Sequence, residues 1–297
     1  MEFAGHGSDD LTRTRRVSSM RGQPLAVTFS FDYSQPPGSA HRGRQDYSPQ
    51  GLLELERTRR KGAVVTLIAT RVGQLLRELV ERRLEPAARE WLARTCAAAG
   101  AEPSRGALLE TFTAATRRLG RSRLAPTEEE IARLAEAGVS WPIGTGGVDE
   151  IGRILLLIAA ATHWPEAELE ALVEECYRSG DGAERQAVLR ALPLLPAPER
   201  FLEIAVDACR SHIQPLFEAV ACENPYPAFY FPELNFNQMV LKALFTGVAL
   251  ARILGLEGRI TPELARMAAD YASERRAAGR SVPPDIGQLT GERGGRP

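Results

Sequence analysis

Apolar side chains recur at helical spacing through most of this 297-residue chain, and segments built that way are separated by Pro and Gly rather than by strand-like alternation. From Leu52 to Arg83 the apolar series is Val64, Leu67, Ile68, Val72, Leu75, Leu76 and Leu79. Pro86 suits the first turn of a helix carrying Trp91, Leu92 and Cys96, which Gly100 and Pro103 end. Residues 104–119 form another amphipathic helix. Thr127 with Glu130 three residues on is a capping box, and its helix ends near Gly138. Asp149 caps a very apolar helix, Ile151–Thr162, and Pro165 opens the next, through Tyr177. Further helices are predicted over Ala183–Leu192, over Glu199–Ala221 with Pro215 bending it, and over 234–254 and 261–278. The expected class is all-α: an irregular α-α superhelix or HEAT-like helical repeat domain with no strict internal period. Residues 1–50 read as a disordered leader, 51–285 as one helical domain and 286–297 as a flexible tail.

Charge and cysteine usage narrow the function classes. A formal net charge of −1 gives no field that would gather nucleic acid. Cys96, Cys176, Cys209 and Cys222 are scattered without a C-x-x-C pair, which reads as reduced core thiols in a cytoplasmic protein. His6, His41, His163 and His212 have no metal-ligand spacing, and no nucleophilic triad can be assembled, so neither a metal nor a cofactor is expected. Trp141-Pro-Ile-Gly-Thr-Gly-Gly-Val148 lacks the Lys-Ser/Thr ending of a phosphate loop and reads as a connection. The longest apolar run, Ile154–Thr162, is about half a membrane span, so no transmembrane segment is expected, while peripheral membrane association stays open.

Two helices and the loop between them carry the candidate chemistry. At about 100° per residue, Asn235, Gln238, Lys242 and Thr246 share one stripe of the 234–254 helix, while Asn237 lies on another face. Lys242 is one of only two Lys in the chain, the other being Lys61. Asp207, Arg210, Ser211 and Gln214 share a face of the 199–221 helix, and Pro215 frees a carbonyl near residue 211 for another partner. Asn224-Pro-Tyr-Pro227 is a rigid turn in which Asn224 can accept from its own downstream backbone. The candidate ligand-binding residues are therefore Arg210, Gln214, Asn224, Tyr226, Asn237, Gln238 and Lys242. Two readings fit them: a polar cleft for an anionic or polar ligand, or helix-end hydrogen bonds with Lys242 snorkelling to solvent and the aromatic residues packing.

A family resemblance adds to these residues. Cys209-Arg-Ser-His-Ile-Gln-Pro-Leu-Phe-Glu-Ala-Val220, Asn224-Pro-Tyr-Pro227, Asn237-Gln-Met-Val-Leu-Lys-Ala-Leu-Phe245, Glu263-Leu-Ala-Arg-Met267, Asp270-Tyr271, Glu274-Arg275 and Ala277-Ala-Gly-Arg-Ser-Val282 occur in order. Together they resemble the EboA family, strongly over 200–285 and diffusely over 60–200. His212 stands where that family more often has Asn, and Phe236 where it more often has Trp. The resemblance implies a helical protein of the ebo gene cluster, beside proteins resembling a UbiA-like prenyltransferase, a TatD-like hydrolase and a sugar-phosphate cyclase. It implies secondary metabolism and the handling of a metabolite precursor with a polar, prenylated character. Its partners would be other ebo-cluster proteins or that metabolite. A binding or scaffold role is the first expectation. The alternative is a cofactor-free enzyme acting on a phosphorylated, cyclitol or prenylated metabolite at a cleft around Arg210, Gln238 and Lys242.

Overall fold

In the computed structural model, residues 62–291 apart from 102, 144 and 145 are described, with side chains from residue 70 onward. All of them lie in one unit, 41–297, and the expected leader 1–50 falls outside the described residues. Among the described residues there are thirteen α-helices and no strand. They run α1 (Gly62–Glu81), α2 (Pro86–Ala101), α3 (Arg105–Leu119), α4 (Glu128–Glu136), α5 (Val148–Ala161), α6 (Glu166–Ser179) and α7 (Gly182–Ala191). Then follow α8 (Leu202–Arg210), α9 (Gln214–Ala221), α10 (Tyr226–Tyr230), α11 (Glu233–Thr246), α12 (Pro262–Ala277) and α13 (Gly287–Thr290). Short 3-10 turns occupy Leu192–Leu194, Pro198–Phe201, Leu250–Arg252, Glu257–Arg259 and Pro284–Ile286.

The most apolar helix takes the centre, because only a position enclosed on all sides buries apolar residues around its whole circumference. Every residue of α5 from Val148 to Ile158 is buried, with α1, α2, α3 and α7 packed around it. At Gly152 the Leu119 side chain lies 2.2 Å from where a Cβ would stand, so the missing side chain lets α3 approach. From α5 the packing passes through α7 to α9, and from α9 to α8. Successive helices also pair as antiparallel neighbours would, α2 with α3, α6 with α7 and α8 with α9.

The local stop and start signals account for most boundaries. Thr127 and Glu130 form the expected capping box: Glu130 N–H donates to Thr127 Oγ1 at 3.3 Å and Thr127 N–H to Glu130 Oε2 at 2.9 Å. Four expectations are corrected. The cap of α5 is Gly147, with Asp149 in its first turn. The long 199–221 helix is two helices, since Pro215 sits in the first turn of α9, where its missing N–H costs nothing, and residues 211–213 turn the chain. The 234–254 helix stops at Thr246, because Gly247 adopts a left-handed φ of 75° and donates back to Ala243 O. The flexible tail from 286 is corrected as far as Gly291. Ile286 and Leu289 are buried, and α13 with its preceding turn packs on α12.

Candidate functional site

The junction of α8, α9 and α11 is built around one cation. Lys242 Nζ donates to Cys209 O at 2.5 Å and to Ser211 O at 2.6 Å, and lies 4.8 Å from the centre of the Phe217 ring. Those carbonyls belong to the C-terminal end of α8, where oxygens lack intrahelical donors and the macrodipole is negative. The chain leaves the helix at Ser211, so Ser211 O has no intrahelical donor, and Lys242 takes it. Partial burial lowers the Lys242 pKa below its ordinary value. Lys242 therefore ties two helices together by capping one of them, and does not snorkel into bulk water. Thr246, the last member of the polar stripe, donates to Lys242 O at 2.8 Å within its own helix.

The remaining candidates divide between this junction and two other places. Arg210 is the last residue of α8, half-buried beside the capped carbonyls. Gln238 stands one helical turn before Lys242, and its Oε1 is buried without a hydrogen-bond partner among the described residues. The same holds for Oδ1 of Asn237, a residue 2 % exposed. Asn224 and Tyr226 lie elsewhere, inside the packing of α7, α9 and α10. Asn224 Nδ2 donates to Leu189 O and Ala219 O, and its Oδ1 accepts from Tyr226 N–H at 3.0 Å, the local turn expected of it. Tyr226 is fully buried and its hydroxyl donates to Pro198 O at 2.5 Å. Its ring packs against Tyr230 at 4.8 Å and Phe231 at 6.2 Å. Arg259 clamps this stretch by donating to Ala228 O and Phe231 O while its guanidinium covers Phe236 at 4.5 Å. Gln214 is exposed and donates to Glu218, which joins a surface network with Arg252 and Glu223. The hydrogen bond from Arg252 lowers the Glu218 pKa.

A second polar assembly surrounds α5, and none of its members is among the candidate ligand-binding residues. Arg153 is 1 % exposed. It donates to Phe112 O at 3.0 Å and Thr116 Oγ1 at 3.0 Å, and pairs with Asp149 at 3.1 Å and Glu184 at 3.9 Å. Thr116 in turn donates to Asp149 at 2.6 Å. One turn away, Glu150 accepts from Arg190 at 2.7 Å and from Gly146 N–H at 3.3 Å. A Cβ on Gly146 would stand 2.3 Å from Glu150 Oε2. The glycine-rich loop thus holds the chain's own carboxylate. Burial is the main cause that raises the Glu150 pKa, against the opposing Arg190 charge. A signal was present in the sequence: an Asp and an Arg four apart inside an apolar helix must find each other or another partner.

The thiols carry no nucleophile. Burial raises Cys96 to about 11, and Cys176, Cys209 and Cys222 to about 12, so each stays protonated at neutral pH. Among the described residues no group of three His, Cys, Asp or Glu is placed to hold a metal ion. A shallow cleft of about 200 Å³ lies between α1 and α4, lined by Arg71, Gln74, Leu75, Glu78, Arg133 and Glu136, none of them a predicted site residue. The Arg133–Glu78 ion pair at 2.9 Å crosses it. Among the described residues, no helix is long and apolar enough to cross a membrane.

The family model for EboA, described as metabolite traffic protein EboA, matches residues 72–291. This chain belongs to the EboA family. The EboA match begins in α1 and ends just after α13, so it takes in both the α5 assembly and the α8–α11 junction. Comparison with curated proteins and with solved structures gives no match. The EboA description supports a role of the trafficking type.

Proposed function

We propose that this protein serves metabolite traffic as a binding or scaffold component of the ebo cluster, and that it does not catalyse a step. The observation that carries this reading is how the family-like block spends its polar groups. Lys242 caps a helix end, Asn224 closes a turn and Tyr226 anchors to Pro198 O, while Ile213, Leu234 and Phe245 of the same block stand 53 %, 49 % and 38 % exposed. A block that holds its polar side chains inside and presents large apolar ones outside is suited to holding a partner. The successive pairing of helices supports an irregular, HEAT-like superhelical layout, an architecture suited to the same task.

The test uses the purified full chain in two arms. Native mass spectrometry with the other ebo-cluster proteins is expected to show a complex with at least one of them. Thermal-shift measurements against prenyl diphosphates, sugar phosphates and cyclitols compare wild type with Lys242→Ala. The variant is expected to melt lower on its own and to keep whatever ligand shift the wild type shows. Turnover of any of these compounds, abolished by Lys242→Ala, would overturn the reading in favour of a catalytic lysine.

A further inference from the structure

From Thr111 to Thr127 the chain has no Asp or Glu, and within that stretch Arg117, Arg118, Arg121 and Arg123 fall close together. All four are exposed. Among the described residues none of them forms an ion pair or a side-chain hydrogen bond. By contrast, Arg83, Arg153, Arg190 and Arg252 are each paired with a carboxylate, and Arg89, Arg185 and Arg259 each donate to backbone oxygens. Two of the four have a local reason. Arg117 and Arg118 close the last turn of α3, where the macrodipole favours cations. Arg121 and Arg123 have no such reason. They stand in the link Gly120–Thr127, which contains no helix, turn or bend.

The link is nevertheless held along its length. Gly120 N–H donates to Thr116 O at 2.9 Å, Ser122 O accepts from Val148 N–H at 3.0 Å, and Arg83 donates to Ala125 O at 2.9 Å. Leu124 is 1 % exposed. A Cβ on Gly147 would stand 3.0 Å from Ser122 O, so the start of α5 lies directly against the link. Residues two apart along a straight run share a side. The burial of Leu124 therefore leaves Arg121 and Arg123 together on the outward side, with Cα atoms about 7 Å apart. Like charges so placed repel, and among the described residues no carboxylate pairs with either.

We propose that this Arg-edged link binds an acidic peptide segment of a partner protein, its carboxylates set against Arg117, Arg118, Arg121 and Arg123. The proposal names the partner chemistry for the binding role above and rests on that reading. Guanidinium groups grip carboxylates bidentately, and a backbone already held in place loses little freedom when they do. The N–H groups of Arg121, Ser122 and Arg123 have no partner among the described residues and offer the same peptide further donors. Two other polyanions fit less well. Single-stranded nucleic acid stacks its bases on aromatic side chains, and no Phe, Tyr or Trp occurs from Thr113 to Ser140. An anionic membrane takes up apolar side chains along with basic ones, and both Leu119 and Leu124 are buried.

The experiment measures fluorescence anisotropy of a labelled peptide of about twelve residues, alternating Glu and Ser, against the full chain. The wild type is expected to bind it, and more weakly as salt is added. The double variant Arg121→Ala, Arg123→Ala is expected to weaken binding about tenfold with unchanged melting temperature. The double variant Arg276→Ala, Arg280→Ala removes the same charge from the exposed end of α12 and is expected to leave binding unchanged. No binding of the Glu-Ser peptide would overturn the proposal, as would equal losses in the two double variants or equal binding of a Lys-Ser peptide. Tighter binding to an oligothymidylate of equal charge, or to phosphatidylglycerol vesicles, that disappears in the Arg121 and Arg123 variant would also overturn it, assigning the link to nucleic acid or to a membrane. A complex with an ebo-cluster protein that survives undiminished in that variant would overturn this proposal and leave the binding role standing. Peptide binding together with no complex among the ebo-cluster proteins would keep this proposal and remove the cluster assignment.

Discussion

The two polar assemblies of this molecule solve the same problem by different means. Around α5, buried charges are matched with buried charges: Arg153 with Asp149 and Glu184, Arg190 with Glu150. At the α8–α11 junction a single ammonium satisfies helix-end carbonyls, and the charge itself goes unmatched by any carboxylate among the described residues. The first arrangement closes on itself. Among the described residues, no buried side-chain nitrogen or oxygen of Asp149, Glu150, Arg153, Glu184 or Arg190 lacks a hydrogen-bond partner. The second leaves two buried amide oxygens, on Asn237 and Gln238, without partners among the described residues. The difference sets the tightest charge matching at α5, the centre of the helical packing, and the looser polar contacts at the α8–α11 junction.

The sharpest way to break that comparison is to remove the centre of the closed assembly. Arg153→Met strands Asp149 and Glu184 as buried carboxylates and leaves Phe112 O without its donor. A loss of about 3–5 kcal/mol is expected in urea-induced unfolding. At the open junction the equivalent change is milder. Lys242→Met leaves two carbonyls near the surface without a donor, and about 1–2 kcal/mol is expected by the same measurement.

Two glutamates then sharpen it through pH. Hydrogen bonding from Arg83 is the main cause that lowers the Glu130 pKa to about 2, so its stabilisation is present above the ordinary glutamate value near 4.5 and is lost as pH falls toward about 2. Burial raises the Glu150 pKa, so its favourable contribution is present below 4.5 and is lost as pH rises through the higher folded-state value. Urea unfolding across acid and neutral pH should show the cost of Glu130→Gln shrinking toward low pH and the cost of Glu150→Gln shrinking toward high pH. The smallest expected effect is on the exposed face. Leu234→Glu, at a position 49 % exposed, should change stability by no more than about 0.5 kcal/mol in the same unfolding measurement.

What could be read in advance follows how local each interaction is. The Thr127–Glu130 capping box spans three residues and needs no knowledge of the fold. An open carbonyl near Ser211 is predicted from Pro215 in a continuous helix, whereas it is open because α8 ends there. Its partner Lys242 lies 31 residues away, so the capping role emerged only once α8 and α11 were packed together. The α5 assembly was harder still, because Phe112, Thr116 and Glu184 reach Arg153 from 31 to 41 residues away on two other helices. The docking of α13 was hidden for a related reason. Ile286 and Leu289 are only two apolar residues in a Gly- and Pro-rich stretch, too few to mark a helix until α12 offers them a surface. The apolar edge of α11 was masked by its buried neighbours, since periodicity distinguishes helix from strand but does not say which apolar residue remains outside.

The central claim is that Lys242 serves the packing of α8 against α11, as the proposed role requires. Urea-induced unfolding of the full chain beside Lys242→Met and Arg153→Met tests it most directly. The account predicts that both variants lose stability, Arg153→Met the more. Unchanged stability in Lys242→Met would contradict it.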